Sequence, residues 1–313
     1  MRLPLILLCS TLCLLPPAPT LAQSAADDGF AGAVQIGNGY NVKANVTYLT
    51  ASGRDLKLDV YQPSPATSAV PVVINFHGGG WVAGSREGSL LKLLPYMQMG
   101  FAVVNVEYRL GKTALAPAAV EDTLCALQWV GRNAKEYNFD LSKVVATGGS
   151  AGGHLALATA MIPSDSPLTN QCALHGSWSG PYVNPAPKVA AVINWFGITD
   201  VADMLEGPNV RSYAVAWFGA TEGRKELARS LSPLSYVRKD GPAVLTIHGD
   251  ADPLVPYAHA LRLRQAMDKA GQKNRLLTIK GGGHGGFTPA QDQQAYLAMR
   301  DFLRELGIVA PAR

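Results

Sequence analysis

The sequence predicts an α/β fold: a mostly parallel central sheet with helices on both faces and little or no cap domain. Three observations predict it. Nearly continuous apolar runs rich in β-branched residues recur at 70–76, 101–106, 143–147, 189–195 and 243–248, and such runs mark strands buried on both faces of a parallel sheet. Longer segments with helical spacing separate most of them, the alternation expected of an α/β chain. Polar or glycine-rich segments follow the runs, at the strand ends where ligands bind in open α/β sheets.

Residues 42–49 and 56–61 alternate apolar and polar side chains around Ser52-Gly53, the pattern of a hairpin with one solvated face. A loop over 63–69 leads to the strand 70–76, which ends in His77-Gly78-Gly79-Gly80-Trp81. The spacing predicts a helix over 87–99, a strand over 101–106 and a helix over 117–136, opened by proline at its first turn. Residues 143–147 form the strand that delivers Ser150, and 151–161 the helix that leaves it. The stretch 162–187, interrupted by prolines, is too irregular for an element and long for a connection; such loops are often functional. Strands follow at 189–195 and 243–248, separated by a mixed segment that forms a partial cover. A helix over 256–270, a strand over 275–279 and a closing helix over 289–306 complete the chain. No internal repeat or linker divides it, so 41–309 reads as one domain.

Arg2, an apolar run over 3–15 and a proline-rich stretch ending Thr20-Leu21-Ala22 fit a secretory signal, residues 1–22, cut after Ala22. The run is too short to span a bilayer, which needs roughly 20 apolar residues. Neither Cys9 nor Cys13 has the small-residue context of a bacterial lipid-anchor site, so a soluble secreted or periplasmic product is expected. Residues 23–40 are small, polar and glycine-rich, a flexible leader. The formal charge of +4 is spread without a basic run, and nothing points to nucleic acid. Of the four cysteines, only Cys125 and Cys172 lie beyond the signal. In an oxidising compartment they suggest one disulfide, with two buried free thiols as the alternative.

Chemistry centres on residues 144–158, where an apolar run breaks at glycines and restarts as a helix. Gly148, Ser150 and Gly152 satisfy Gly-x-Ser-x-Gly, which holds a serine on a tight strand-to-helix turn with its hydroxyl exposed. A serine hydroxyl is a weak nucleophile at neutral pH and needs a base, which in turn needs an acid to orient it. His284, in the glycine-flanked loop after the last strand, is the candidate base. Asp252 is the candidate acid and Asp250 its close rival, with Asp200 and Asp203 a weaker site. His154 shares the helix with Ser150, His248 bonds locally at a strand end, His77 fixes its own loop, and His175 and His259 lack context. No histidine pair has metal-site spacing, and no cofactor is expected. HGGGW supplies backbone donors: the amides of Gly79 and Gly80, with that of Ala151, are candidates to bind a developing oxyanion. Trp81, Trp178, Trp217 and Phe287 are candidate pocket walls.

The ordered set HGGGW, Glu107-Tyr108-Arg109-Leu110, PAAVEDTLCALQW from Pro117, GGSAGGHLA, HGDADPLVP and GGGHGGF resembles the α/β-hydrolases over about residues 42–308. Within them it is similar to the HGGG-bearing, hormone-sensitive-lipase-like esterases. That group usually carries an acid before its nucleophile and a helical cap; this chain has Gly149 and only a short leader, which moves the likeness to compact BD-FAE-like esterases, related to feruloyl and acetylxylan esterases. The resemblance implies a serine carboxylic-ester hydrolase using Ser150, Asp252 and His284, with 41–309 as catalytic domain and an ester, small or polysaccharide-linked, as substrate. It also implies that Glu107, Arg109 and Asp122 are structural. Exopeptidases of the prolyl-oligopeptidase type and arylformamidases resemble the same motifs, leaving an amide hydrolase as the rival. A catalytically inactive binding protein of the same fold is the second. Ser89-Leu90-Leu91-Lys92 matches Ser-x-x-Lys but lacks its companion motifs.

Overall fold

The computed structural model describes residues 34, 36–66, 68–170, 172, 186–220 and 222–310. Their strands, β1 (Tyr40–Ala51), β2 (Arg54–Pro63), β3 (Val70–Phe76), β4 (Ala102–Val106), β5 (Phe139–Gly149), β6 (Val189–Trp195), β7 (Ala243–Gly249) and β8 (Asn274–Ile279), form one sheet in the order β1-β2-β4-β3-β5-β6-β7-β8. The hairpin β1–β2 is antiparallel and joins β4 antiparallel, while every pairing from β4 to β8 is parallel. β1 begins at Tyr40, the last residue of the stretch read as leader, and the Tyr40 hydroxyl reaches the carbonyls of Met97 and Phe101.

Successive side chains of a strand point to opposite faces, and both faces of these strands are covered. Val72, Ile74, Phe76 and Ala146 enter one core, shared with α2 (Ala118–Arg132) and α3 (Ala151–Met161). Val73, Val145, Ile193 and Leu245 enter the other, shared with α1 (Leu94–Gln98) and α7 (Pro289–Glu305). This two-sided burial is why the strands read as unbroken apolar runs. α3 is buried along nearly its whole length, as a helix apolar on all sides should be.

The helix expected over 87–99 is divided. A 3-10 turn runs over Glu87–Leu93, and the α-helix starts only at Leu94. Pro95 explains the break, because it has no N–H to bond back to the preceding turn. The mixed segment between β6 and β7 contains α4 (Ser212–Phe218) and α5 (Arg224–Leu231), followed after β7 by α6 (Ala258–Ala270). Cys125 of α2 and Cys172 are joined by a disulfide. Arg109 holds the fully buried Asp122 through its Nε and NH2 groups and its own amide, while Glu107 binds Arg54 and Arg86, so all three stand in structural ion pairs. Among the described residues, no helix is long and apolar enough to cross a membrane.

Register places the chemistry. Phe76 pairs with Gly148, Gly149 with Trp195, Trp195 with Ile247, and Gly249 with Ile279, so the carboxyl ends of five parallel strands finish in one row. β3 and β5 are neighbours, which sets HGGGW beside Ser150. β7 and β8 are neighbours, which sets the loop of Asp252 beside that of His284. β6 separates the two pairs and ends at Trp195, with Phe196 just beyond it.

Candidate active site

Ser150 stands between β5 and α3 with φ 59° and ψ −124°, outside the regions a serine normally occupies. Its amide donates to the Trp195 carbonyl (2.9 Å) and its carbonyl accepts from the His154 amide (3.0 Å), pinning the turn from both sides. The turn requires glycine nearby. A Cβ on Gly152 would lie 2.0 Å from the Phe76 carbonyl oxygen, and one on Gly148 would lie 2.4 Å from that of Gly152. The strained serine is thus held by backbone packed too closely for any side chain.

His284 and Asp252 meet across neighbouring loops, with Nδ1 of the histidine 2.7 Å from Oδ2 of the aspartate. The other oxygen, Oδ1, accepts the amides of Leu254 (2.8 Å) and Val255 (3.0 Å). Burial opposes charge on Asp252, but hydrogen bonds from His248, His284 and the two amides outweigh it and hold the carboxyl well below its ordinary range. A permanently ionised acid facing Nδ1 fixes the tautomer in which Nε2 is free to take a proton. Asp250 is turned elsewhere: Lys280 (2.9 Å) and the Gly281 amide (2.6 Å) occupy its carboxylate. Asp203 binds Arg262 at 2.6 Å and faces His259 at 3.1 Å, and Asp200 lies 3.4 Å from Arg262, all away from His284's partner.

Ser150 and His284 line one cavity of about 530 Å³, together with Gly79, Gly80, Phe196 and Tyr213. A Cβ on Gly78 would stand 3.6 Å from that of Ser150, so the HGGGW backbone passes directly alongside the serine. Ala151 opens α3 immediately behind it, fully buried, at the positive end of the helix dipole. The Gly79 carbonyl accepts the amides of Val82 and Ala83, closing the loop into a turn, with φ +122° at Gly79. His77 contributes structure: its ring stacks on Tyr108 at 4.2 Å, and burial pushes its pKa down, leaving it neutral.

Two candidate pocket walls are corrected. Trp81 and Trp217 are fully buried and stack on each other at 4.2 Å, beneath the HGGGW loop and away from the cavity lining. Their large apolar rings support the loop from the core. Phe287 does line a cavity, the smaller one adjoining the first. Trp178, like His175, lies outside the described residues.

Three contributions escaped sequence reasoning, and the local bonding expected of His248 goes to the acid itself. His248 places Nε2 3.2 Å from Asp252 Oδ2 and 3.0 Å from the Val255 carbonyl, so it props the acid that orients the base. His154 accepts the Trp81 indole N–H at Nδ1. Tyr213, on α4, packs its ring where a Cβ of Gly80 would be and donates its hydroxyl to the Leu254 carbonyl, linking the HGGGW loop to the Asp252 loop. Phe196 follows β6 and sets its ring 4.6 Å from that of His284. The one sequence signal for these is the aromatic pair Trp195-Phe196 closing a buried strand.

The BD-FAE family model matches residues 58–267, from within β2 to within α6. The chain belongs to the BD-FAE family. Solved structures agree: a truncated carbohydrate esterase from gut microbiota superposes with TM-score 0.69 at 31% identity, over 86% of this chain and 97% of that one. Thermogutta terrifontis esterase 2 with propionate bound superposes with TM-score 0.71 at 26% identity, over 88% and 97%. Esterase LipQ of Mycobacterium tuberculosis is 27% identical across 70% of this chain and 51% of its own length. The chain thus spans about half the length of that curated relative. The fold of this BD-FAE member is that of the α/β-hydrolases.

Proposed function

We propose that the chain is a serine carboxylic-ester hydrolase, exported to the periplasm or beyond, acting on short-chain or carbohydrate-linked acetyl or feruloyl esters through an acyl-enzyme. The observation that carries it is the 2.7 Å contact of His284 with Asp252 at a cavity that Ser150, Gly79 and Gly80 also line. The substrate range draws on the relatives: a carbohydrate esterase, an esterase with propionate bound, and an acetyl esterase of Salmonella.

In this reading the Ser150 hydroxyl attacks the ester carbonyl while His284 Nε2 takes its proton. Asp252, ionised, stabilises the imidazolium. The tetrahedral oxyanion receives the amides of Gly79, Gly80 and Ala151, each donor worth roughly 3 kcal/mol in the transition state. His284 then returns the proton to the departing alkoxide, leaving the acyl group on Ser150. Water repeats the cycle: its proton passes to His284, its oxygen forms the acid, and the proton returns to Ser150.

The test compares the mature protein with Ser150→Ala on nitrophenyl esters of increasing chain length, acetylated and feruloylated xylan, and an aminoacyl anilide. Turnover of esters that vanishes in the variant is expected. Undiminished turnover in Ser150→Ala would remove the nucleophile, and preference for the anilide would make the chain an amide hydrolase. Export is tested by the N-terminal sequence of protein recovered outside the cytoplasm, expected to begin at Gln23.

A further inference from the structure

The loop of Asp252 is held from a second side. Arg211, the residue just before α4, donates Nε to the Leu254 carbonyl (3.0 Å) and Nη2 to the Pro253 carbonyl (3.3 Å). Those carbonyls belong to the two peptide groups that grip the acid. The Pro253 carbonyl shares a plane with the Leu254 amide, and the Leu254 carbonyl with the Val255 amide. Both amides donate to Asp252 Oδ1, at 2.8 and 3.0 Å. In a trans peptide the C=O and N–H point opposite ways, so two paths, each through one peptide group, run from the guanidinium to the carboxylate.

The guanidinium is committed to this role. Its Nη1 donates to the Val210 carbonyl (3.1 Å), and among the described residues it has no carboxylate partner of its own. The backbone beneath it is fixed: the Arg211 amide donates to the carbonyl of buried Met204 (3.0 Å), and the Arg211 carbonyl accepts the amides of Ala214 and Val215 in the first turn of α4. A planar fork spans two carbonyls at once, which a lysine ammonium, a point charge on a flexible stem, does not. A cation on its carbonyl polarises each peptide group and makes its amide a stronger donor. Arg211 is half-buried, so solvent screens much of that charge and orientation is the larger effect. With Oδ1 held by two oriented amides, Oδ2 is presented to His284 Nδ1 at 2.7 Å.

Resting on the reading of Asp252 as the acid of the site, we infer that Arg211 is a positioning residue for ester hydrolysis: it sets the two peptide planes that turn the Asp252 carboxylate towards His284. It acts through the loop alone. Arg211 does not line the chamber of Ser150, so it touches neither the ester nor the reacting atoms.

The experiment compares the native protein with Arg211→Ala, Arg211→Lys and Asp252→Asn on one nitrophenyl ester. A carboxylate turned away from the base impairs proton transfer and leaves the ester site intact, so Arg211→Ala should lose about tenfold in kcat with KM changed by less than about twofold. Arg211→Lys, able to hold one carbonyl, should lie between. Free guanidinium ion, kept well below denaturing concentration, should restore kcat of Arg211→Ala by about threefold or more and raise neither the native protein nor Asp252→Asn. The downfield proton resonance of the His284–Asp252 hydrogen bond should move upfield or broaden in Arg211→Ala. A role confined to stability would lower the unfolding midpoint and leave that resonance and kcat where they are, which overturns the inference. A loss of kcat with the resonance in place and no rescue by guanidinium also overturns it. Should Arg211→Ala not fold, Arg211→Lys decides by the same resonance and kcat. Native turnover in Asp252→Asn removes the acid assignment and this inference with it, whereas native behaviour of the Arg211 variants alone leaves that assignment standing.

Discussion

The indole N–H of Trp81 donates to Nδ1 of His154 over 3.1 Å, joining the HGGGW loop to the helix that leaves Ser150. Nε2 of the same imidazole donates to the Leu231 carbonyl at 2.7 Å, which fixes the tautomer that can accept the indole. Trp81 itself has φ +61°, unfavourable for so large a residue unless it is held. The two glycines just before it depend on that hold for their place beside the serine.

His154→Leu should therefore strand the indole N–H and the Leu231 carbonyl in the core. Each unpaired group costs roughly 1–3 kcal/mol, so urea denaturation should show a loss on the order of 3 kcal/mol. The loop should also lose its fixed position, lowering kcat about tenfold with KM little changed. An unaltered kcat in a folded, destabilised variant would separate this bond from the loop's role.

Asp252 receives four donors, and removing its charge should be far more costly than removing that of its neighbour. Asp252→Asn keeps the shape but no longer enforces the tautomer of His284; kcat should fall on the order of 10⁴-fold, as for an equivalent loss in other Ser-His-Asp sites. Asp250→Asn, which frees only Lys280 and a surface amide, should leave kcat within about twofold. His248→Phe should lie between, near tenfold, because it takes one prop from the carboxylate and leaves the His284 contact. Steady-state kinetics of the three variants settle the order, and a large effect of Asp250→Asn would reassign the acid.

The strands and the polar segments after them were legible because burial on both sheet faces writes a plain apolar run and the elbow demands its glycines. The order Ser150, Asp252, His284 followed from where those segments fall. What was not legible depends on pairing across distance. Sequence reasoning set aside His154 and His259, yet each is fully buried with a partner far along the chain, fixed by the packing of distant elements and not by neighbours in the sequence. His248 bonds locally as expected, and its local partner is the acid. Trp81 followed the glycine loop and looked like pocket wall, but its positive φ turns it into the core. Phe196 was passed over because nothing local marks the positive φ that sets its ring against that of His284.

Buried histidines also set the pH dependence of stability. Burial pushes His154 down to about 4 from 6.5. His259 falls to about 4 as well, through burial and then the nearby Arg262 charge. Both are neutral in the fold, and below pH 6.5 the unfolded chain binds protons that the folded chain does not. Stability should be full above about pH 6.5 and fall as pH drops towards 4, by on the order of 3 kcal/mol for each histidine. Asp252, shifted downward, loses its contribution only at lower pH, as the carboxylate range is crossed. Urea midpoints between pH 8 and pH 4 give the curve. His154→Gln should flatten it, and a level native curve from pH 6.5 to 4.5 would mean these imidazoles take up protons without unfolding.

The Cys125–Cys172 bond ties α2 to the stretch beyond α3 across a sequence separation of 47. Closing a loop of that length removes freedom from the unfolded chain worth about 4 kcal/mol in the chain-entropy model. Neither cysteine lines the cavity of Ser150, so the bond should act on stability and spare the chemistry. The double variant Cys125→Ala, Cys172→Ala should unfold roughly 10 °C lower, given about 2–4 °C per kcal/mol for a domain of this size, and keep its kcat at 25 °C. Reductant should lower the midpoint of the native protein and leave that of the variant where it is. A native midpoint indifferent to reductant would show that the crosslink contributes nothing to stability.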